Sequence, residues 1–404
     1  MTAQAASGPP SHRRAFMVLF ACMIAVGMGQ TVVFAVLPPL GREIGLAEIQ
    51  VGAIVSASSI TFFLASPIWG RVSDRIGRKR VLLIGLVGYT LGTVLFASGF
   101  QAALVGLLAP TAAFIFLTFA RMAQATVMSA TPPAASAYVA DITDARTRTR
   151  GMGGMGAANN LGAIIGPAIG GLLATISLLL PLYFAALMTL LAAATVWWLL
   201  PEPPRQAAQQ IKRERLRFTD RRILPFVIVG VLMFVGIAVA QQTLAFRFQD
   251  LLDLTGQETA RMFGFAMMTA AALSLFAQGV IVQRMELSPL TLLRLAIPLL
   301  IAAFVMMTLA QSSALLFLGM ALMGLGMGMA APGFMAGASL AVRQDEQGAV
   351  AGVTSACPPL GFTIGPLLGT ALYQIDPQLP YLVTTCLYIP LAIFTWRVKL
   401  KDNL

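Results

Sequence analysis

The chain has 404 residues, 58% of them hydrophobic and only 11% charged, with a mean hydropathy of +0.82. Soluble domains carry about 25% charged residues, so an ordinary water-soluble core is excluded and a polytopic membrane protein is indicated. The net charge of +11 would suit a nucleic acid. The basic residues, however, lie in short loops between apolar runs rather than on one surface, which excludes nucleic acid as a partner.

In chain order, "SHRRAFM" places Arg13 and Arg14 before the first apolar stretch. A double arginine also opens twin-arginine export signals. Here the stretch continues to about Pro38, too long for a signal core, and no small-residue cleavage site ends it. The pair is read as holding the N-terminus of the first helix in the cytoplasm. A crossing helix needs about 20 apolar residues. On that measure the expected spans are 15–39, 49–70, 81–100, 104–139, 151–175, 178–200, 223–247, 259–282, 290–310, 313–340, 348–372 and 380–397. The fourth and tenth are long enough to tilt or protrude. The fold class is therefore an all-α polytopic membrane protein with twelve transmembrane helices.

Twelve spans put both termini on one side of the lipid bilayer. Of the basic residues, 23 fall on that side, including Arg146, Arg148 and Arg150 in the 4–5 loop and Lys399 and Lys401 at the end. Only Arg42, Arg247 and Arg261 fall on the other. The asymmetry assigns the 23-residue side to the cytoplasm. Trp69, Trp197, Trp198 and Trp396 fall at the cytoplasmic helix ends, where interface anchors belong.

The longest hydrophilic segment, 201–222, divides the chain into residues 1–200 and 223–404, each expected to be a six-helix bundle. With seven basic residues it reads as a linker lying on the anionic leaflet. The halves are related: Gly153, Gly162, Gly166, Pro167 and Gly170 match Gly352, Gly361, Gly365, Pro366 and Gly369, each at an offset of 199, and Pro133 matches Pro332. Two pseudo-symmetric bundles of this kind suggest a transporter that rocks about a central site.

Three motifs give the repeat a family. The first cytoplasmic loop, "GRVSDRIGRKR", fits G-x-x-x-D-x-x-G-R-[KR] with Gly70, Asp74, Gly77, Arg78 and Lys79. The fifth span carries G-x8-G-x3-G-P-x2-G-G as Gly153, Gly162, Gly166, Pro167, Gly170 and Gly171. The fourth has R-x-x-Q at Arg121 and Gln124, with Ala125 where a glycine is expected. On these the chain resembles the major facilitator superfamily, and more narrowly its twelve-span drug:proton antiporters, over essentially its whole length.

The resemblance implies roles. The loop acid, Asp74, is expected to touch the start of the eleventh helix, near Gln347 and Gly348, in one conformation only. The loop arginines are expected to pair with an acid ending the fourth helix, which is Asp141. Together these contacts form a conformational latch. A plain positive-inside loop explains the five bases but not Asp74. In the second half, "GVIVQRMEL" has Gln283 for the acid and Glu286 for the second glycine, so the latch is one-sided. The glycines of the fifth span allow close helix packing, and the family adds a role in preventing ion leak.

Arg121 is the one ionisable side chain placed near mid-membrane, a functional hypothesis by default. It can also be a structural arginine bonded to carbonyls or glutamines. The resemblance ties it to proton coupling and a central cavity. Other polar groups expected there are Gln30, Gln124, Asn159, Asn160, Gln241 and Gln242, whose amides can bind substrate or join helices. No acid falls in a span: Glu43 and Glu48 are read into the 1–2 loop, and Asp250, Asp253 and Glu258 into the 7–8 loop. An arginine without an acid should repel lipophilic cations and attract planar anions. The methionine-rich stretch 319–333 reads as packing.

No enzyme is indicated. His12 is the only histidine and lies in the polar tail, no nucleotide motif occurs, and Cys22, Cys357 and Cys386 have neither metal nor disulfide spacing. No cofactor or metal is expected. The reading is a monomeric secondary exporter of a small-molecule substrate in a bacterial-type inner membrane, driven by protons. An anionic or zwitterionic substrate, such as a carboxylate siderophore, is favoured over cationic drugs. An organic-anion facilitator or symporter for uptake is one alternative, and a non-transporting receptor or scaffold another.

Overall fold

A computed structural model describes residues 10–143, 145–203, 216–343 and 346–397, with the side chains of 10–12 and 145–150 excepted. The side chains of His12, Arg146, Arg148 and Arg150, residues 204–215 of the linker, and Lys399 and Lys401 thus lie outside the described residues.

The described residues are helical almost throughout: α1 (Pro10–Glu43), α2 (Glu48–Ile76), α3 (Arg78–Leu104), α4 (Pro110–Met128), α5 (Thr131–Ile142), α6 (Ala145–Ala174), α7 (Leu180–Leu199), α8 (Leu224–Leu252), α9 (Gly256–Phe276, continued by a π-turn Ala277–Val282), α10 (Pro289–Thr308), α11 (Ser313–Leu340), α12 (Gln347–Ile375) and α13 (Leu379–Arg397). In hydrocarbon every backbone N–H and C=O must bond within the segment, which a helix alone achieves for a single span. Eleven segments among the described residues are long and apolar enough to cross, α4 and α5 together making one, Pro110–Ile142. The remaining helix, α12, is diluted by five glycines and three prolines.

The spans run further than hydropathy indicated. Glu43 lies inside α1, Glu48 opens α2 and Asp250 lies inside α8 rather than in loops. Polar end groups prolong these helices by satisfying their own termini. Asp253, at φ 51, is the left-handed cap of α8, and Thr255 and Glu258 form a reciprocal capping box on α9. The fourth span begins at Pro110 rather than 104, because α3 continues to Leu104 and Gly106 turns the chain at φ +78. It breaks at Ser129 and Ala130, just before Pro132 and Pro133, which lack backbone donors.

By its contacts the chain divides into two compact units, Met1–Val33 with Thr61–Ile169 and Leu179–Gln209, and Phe34–Ile60 with Gly170–Leu178 and Gln210–Leu404. In the first, α3 packs on α4, α5 and α7. Its core joins Leu19, Cys22 and Val26 of α1 to Leu86, Tyr89, Tyr138 and Val196. A 2.9 Å hydroxyl bond between Thr90 and Thr189 ties α3 to α7. In the second, α12 packs on α8, and α11 packs on both α9 and α10. The 319–333 stretch is packing: Gly324 meets the Ala270 backbone and Gly326 meets Leu300. Cys22 and Cys357 are buried and Cys386 is exposed, all three as free thiols.

The repeat is visible in how the units are built. On α6, a Cβ at Gly162 or Gly166 would collide with α1, at the Ile24 carbonyl and at Met28 and Thr31. On α12, a Cβ at Gly361 or Gly365 would collide with α8, at Phe234, Val235 and Ala238. Gly153 and Gly352 likewise match, each with nothing within 4 Å.

The start of α12 carries its own acid. Glu346 accepts from Arg222 at 2.7 and 2.8 Å and from the Arg343 backbone N–H at 3.0 Å. Arg222 also grips Asp220, at 2.9 and 3.2 Å. A carboxylate here compensates the positive end of the helix dipole. Hydrogen bonds from the Arg222 guanidinium hold Glu346 and Asp220 below the usual carboxylate range, helped by the backbone N–H of Arg343 on Glu346 and that of Arg222 on Asp220.

Two outcomes are expected. Gly162→Val forces a side chain into the α1 backbone and should cost about 1–3 kcal/mol, whereas Gly352→Ala, in open space within a helix, should gain roughly 0.5–1 kcal/mol; thermal unfolding in detergent measures both. The Arg222 clamp lowers its carboxyl pKa values, so its contribution is present above their ordinary values, about 4, and is lost as pH falls through the folded values. The melting difference between wild type and Arg222→Ala should therefore be full at neutral pH and shrink progressively as the carboxylates are protonated in acid.

Candidate functional site

At the α2–α3 turn, Gly77 takes φ +107, a backbone that L side chains rarely adopt, and α3 starts at Arg78. Asp74 lies one turn earlier on α2, so the Arg78 guanidinium reaches it as an ion pair. The same guanidinium donates to Ser73 Oγ at 3.1 Å and, through Nε, to Asp141 Oδ2 at 3.0 Å. Lys79 donates through Nζ to the Trp197 carbonyl at 2.8 Å, and its backbone N–H points at Glu202 at 3.4 Å. Gly70 faces Pro133, with a Cβ contact of 3.8 Å. The turn thus gathers Asp74, Gly77, Arg78, Lys79 and Asp141, with Asp74 the most exposed at 62%. Glu202, which sequence reasoning did not single out, lies against Gly77 at the start of α3.

In the second half the matching position also takes a positive φ, without glycine. Glu286, at the position of Gly77, has φ 46.

Arg121 is buried on α4. Its Nη1 donates to Gln124 Oε1 at 2.6 Å, one turn on. Gln124 Nε2 then donates to Thr93 Oγ1 at 2.6 Å and toward the Tyr89 carbonyl at 3.5 Å, both on α3. The guanidinium carbon stands 5.6 Å from the centre of the Phe96 ring, a cation–π contact. Two atoms of this cluster, Arg121 Nε and the Tyr89 hydroxyl, are buried with no hydrogen-bond partner among the described residues. Neither described ion pairs nor this network bring a carboxylate to Arg121. Sequence reasoning found Arg121 and Gln124 but missed Tyr89, Thr93 and Phe96, which hold them. Their spacing of three and four along α3 was the available signal.

The other polar candidates are more dispersed. Gln30 is half-buried on α1; Asn159 is half-buried and Asn160 exposed on α6. Gln241 and Gln242 belong to the second unit, where Gln242 is wholly buried with neither amide atom bonded among the described residues. Of the glycine series, Gly162 and Gly166 seat α6 on α1, Pro167 lies inside α6, and Gly171, in the second unit, meets Gly264 and Ala260 of α9. Arg247, assigned from sequence to the outer side, is buried on α8 and donates to the Ala310 carbonyl at 3.0 Å. It is a second embedded guanidinium.

The family model for the Major Facilitator Superfamily matches residues 19–357 and 292–403. The chain is 29% identical over 388 residues to "Multidrug resistance protein 1" of Bacillus subtilis (strain 168), spanning 94% of each. It is 28% identical over 400 residues to "Multidrug resistance protein 2" of the same strain, spanning 96% of each. It is 26% identical over 222 residues, 54% of each, to the quinolone resistance protein NorA of Staphylococcus aureus. A bacterial homolog of the human lysosomal transporter Spinster superposes with a TM-score of 0.78 at 16% identity, over 98% of this chain and 99% of that one. A D-xylose-proton symporter does so with 0.78 at 16%, over 97% and 99%. At such identities the solved structures show a shared fold.

Proposed function

The chain belongs to the Major Facilitator Superfamily and is a multi-pass membrane transporter of small molecules, and from that premise we propose that it exports a small organic compound in exchange for inward-moving protons. The relatives named for drug resistance support the outward direction. The glycine series of the fifth span supports antiport. The 23 basic residues on one side support cytoplasmic termini in a bacterial-type inner membrane. We propose that it acts as a monomer.

The observation that carries the substrate class is the buried Arg121, bonded to the neutral Gln124 and paired with no described carboxylate. Its positive charge is uncompensated by that network. It disfavours lipophilic cations and favours an anion or zwitterion, with a carboxylate siderophore as one example. Gln30, Asn159 and Asn160 are proposed as neutral substrate-path groups of the first unit, and Gln241 and Gln242 as those of the second. Arg121 does not carry the proton, since a guanidinium stays charged. Asp74, Arg78 and Asp141 are proposed as the cytoplasmic latch, with Gly70, Gly77 and Lys79 shaping the turn.

The names of the relatives favour a second reading, export of cationic drugs, in which Arg121 only positions Gln124 and Thr93. Inverted membrane vesicles with an imposed proton gradient separate the two. On the first reading carboxylates and siderophores dissipate the gradient, and Arg121→Ala lowers that response about ten- to hundredfold, as expected for loss of a charge-assisted contact. Arg121→Lys should restore it only in part, because an ammonium lacks the forked donors. A response to lipophilic cations alone would favour the second reading, and uptake in right-side-out vesicles would reverse the direction.

A further inference from the structure

Arg42 stands in the last turn of α1 and Glu48 in the first turn of α2. Within the same compact unit, the last turn of α8 carries Gln249 and Asp250, and α12 brings Tyr373. The Arg42 guanidinium engages all its N–H donors. Nε and Nη2 donate to Glu48 at 3.1 and 2.8 Å. Nη1 and Nη2 donate to the two oxygens of Asp250 at 2.5 and 3.0 Å. Nη1 also reaches Gln249 at 3.2 Å. Tyr373 donates its hydroxyl to Asp250 at 2.6 Å. The Phe246 ring lies 4.7 Å from the guanidinium carbon. A pocket of about 550 Å³ opens over Arg42, Glu48, Asp250 and Tyr373.

These residues lie 208 apart in the chain and belong to different copies of the repeat. A seam continues from them. Ser56 Oγ accepts the Leu367 N–H at 3.2 Å, just past Pro366, and the rings of Phe34 and Phe362 stand 5.6 Å apart. Gly52 packs against Pro366 and Thr370, and Gly171 against Gly264.

We infer that Arg42 and Asp250 are the outer gate of the transporter, a forked ion pair that opens to release substrate and closes again in each cycle. The inference rests on the export reading and on the assignment of this helix end to the outer face. Two features distinguish a gate from a fixed brace. The groups are wet: the side chains of Arg42, Glu48 and Asp250 are 22%, 21% and 37% exposed, so separation returns them to water without stranding a buried charge. Each side also keeps a partner when the gate opens. Glu48 stays with Arg42 on the α1–α2 side, and Tyr373 stays with Asp250 on the α8–α12 side. By contrast, Arg78 with Asp74 and Asp141, and Arg222 with Glu346, join residues of the same half.

The test uses the full chain in proteoliposomes, with Cys22, Cys357 and Cys386 changed to serine. Spin labels on Ala47→Cys and Asp253→Cys report the width of the gate without any transport assay. Two populations are expected in the wild-type background, and Asp250→Asn should raise the wide one relative to the narrow one by about two- to fivefold, with Asp250→Glu restoring the balance. In a second preparation, Arg42→Cys with Asp250→Cys is joined by a short bifunctional methanethiosulfonate. Proton-gradient collapse driven by a carboxylate panel should fall about tenfold or more, since gating sets turnover, and dithiothreitol should restore it. A distance distribution unmoved by Asp250→Asn, or full transport by the cross-linked protein, overturns the gate. Distances that respond while no compound drives proton flux uphold the gate and remove the export reading instead.

Discussion

The seat of α6 on α1, and of α12 on α8, is the constraint on which the rest of the molecule depends. Between helices in lipid there is no hydrophobic driving force, because the tails are as apolar as leucine. Association then relies on close contact, and glycine at 162, 166, 361 and 365 lets one backbone lie on the next. The repeat offset of 199 residues reproduces the seat in both halves. Each half therefore has its first and fifth spans joined backbone to backbone, with proline at 167 and 366 inside the second partner. Such a joint does not slide.

Polar groups inside the first unit follow the same economy of contact. Arg121 has no charged partner in its network, yet it is tied by Gln124 to Thr93 and the Tyr89 carbonyl, and faced by Phe96. Gly92 makes this possible by letting α3 approach the Gln124 side chain. The cluster is rigid enough to hold a guanidinium in place, while Arg121 Nε has no bond among the described residues.

Most of the helices were legible because the bilayer makes length and hydropathy decisive. The repeat was legible because glycine and proline hold their positions at a fixed offset. The pairing of Arg78 with Asp141 was reachable only through resemblance, since nothing in the local sequence joins residues 63 apart. What failed to show was long-range and polar. Arg42 and Asp250 read as loop charges because hydropathy falls before the helix ends, although α1 runs on to Glu43 and α8 to Leu252, where Asp253 caps it. Tyr89, Thr93 and Phe96 were hidden in an apolar run whose face could not be assigned without its neighbour. Glu286 reads as decay of the motif, and its positive φ of 46, unlike the 107 of Gly77, was not legible in the sequence.

The placement of the ion pairs fits a molecule that must change state. A pair buried among apolar helices is costly to break, by about 3–5 kcal/mol when one charge is left alone. Exposed pairs contribute roughly 0–1 kcal/mol each. The described pairs stand at helix ends with part of each side chain in water. Interactions of that size cannot lock a conformation, but a few together are enough to bias two states of similar energy. Arg42, Arg78 and Arg222 share one further property: each guanidinium holds two carboxylates at once. Losing one acid leaves the other in place, so the arginine is never stranded. Strong joints along the helices and weak, doubly supported joints at their ends are what a transporter needs to move between states without unfolding.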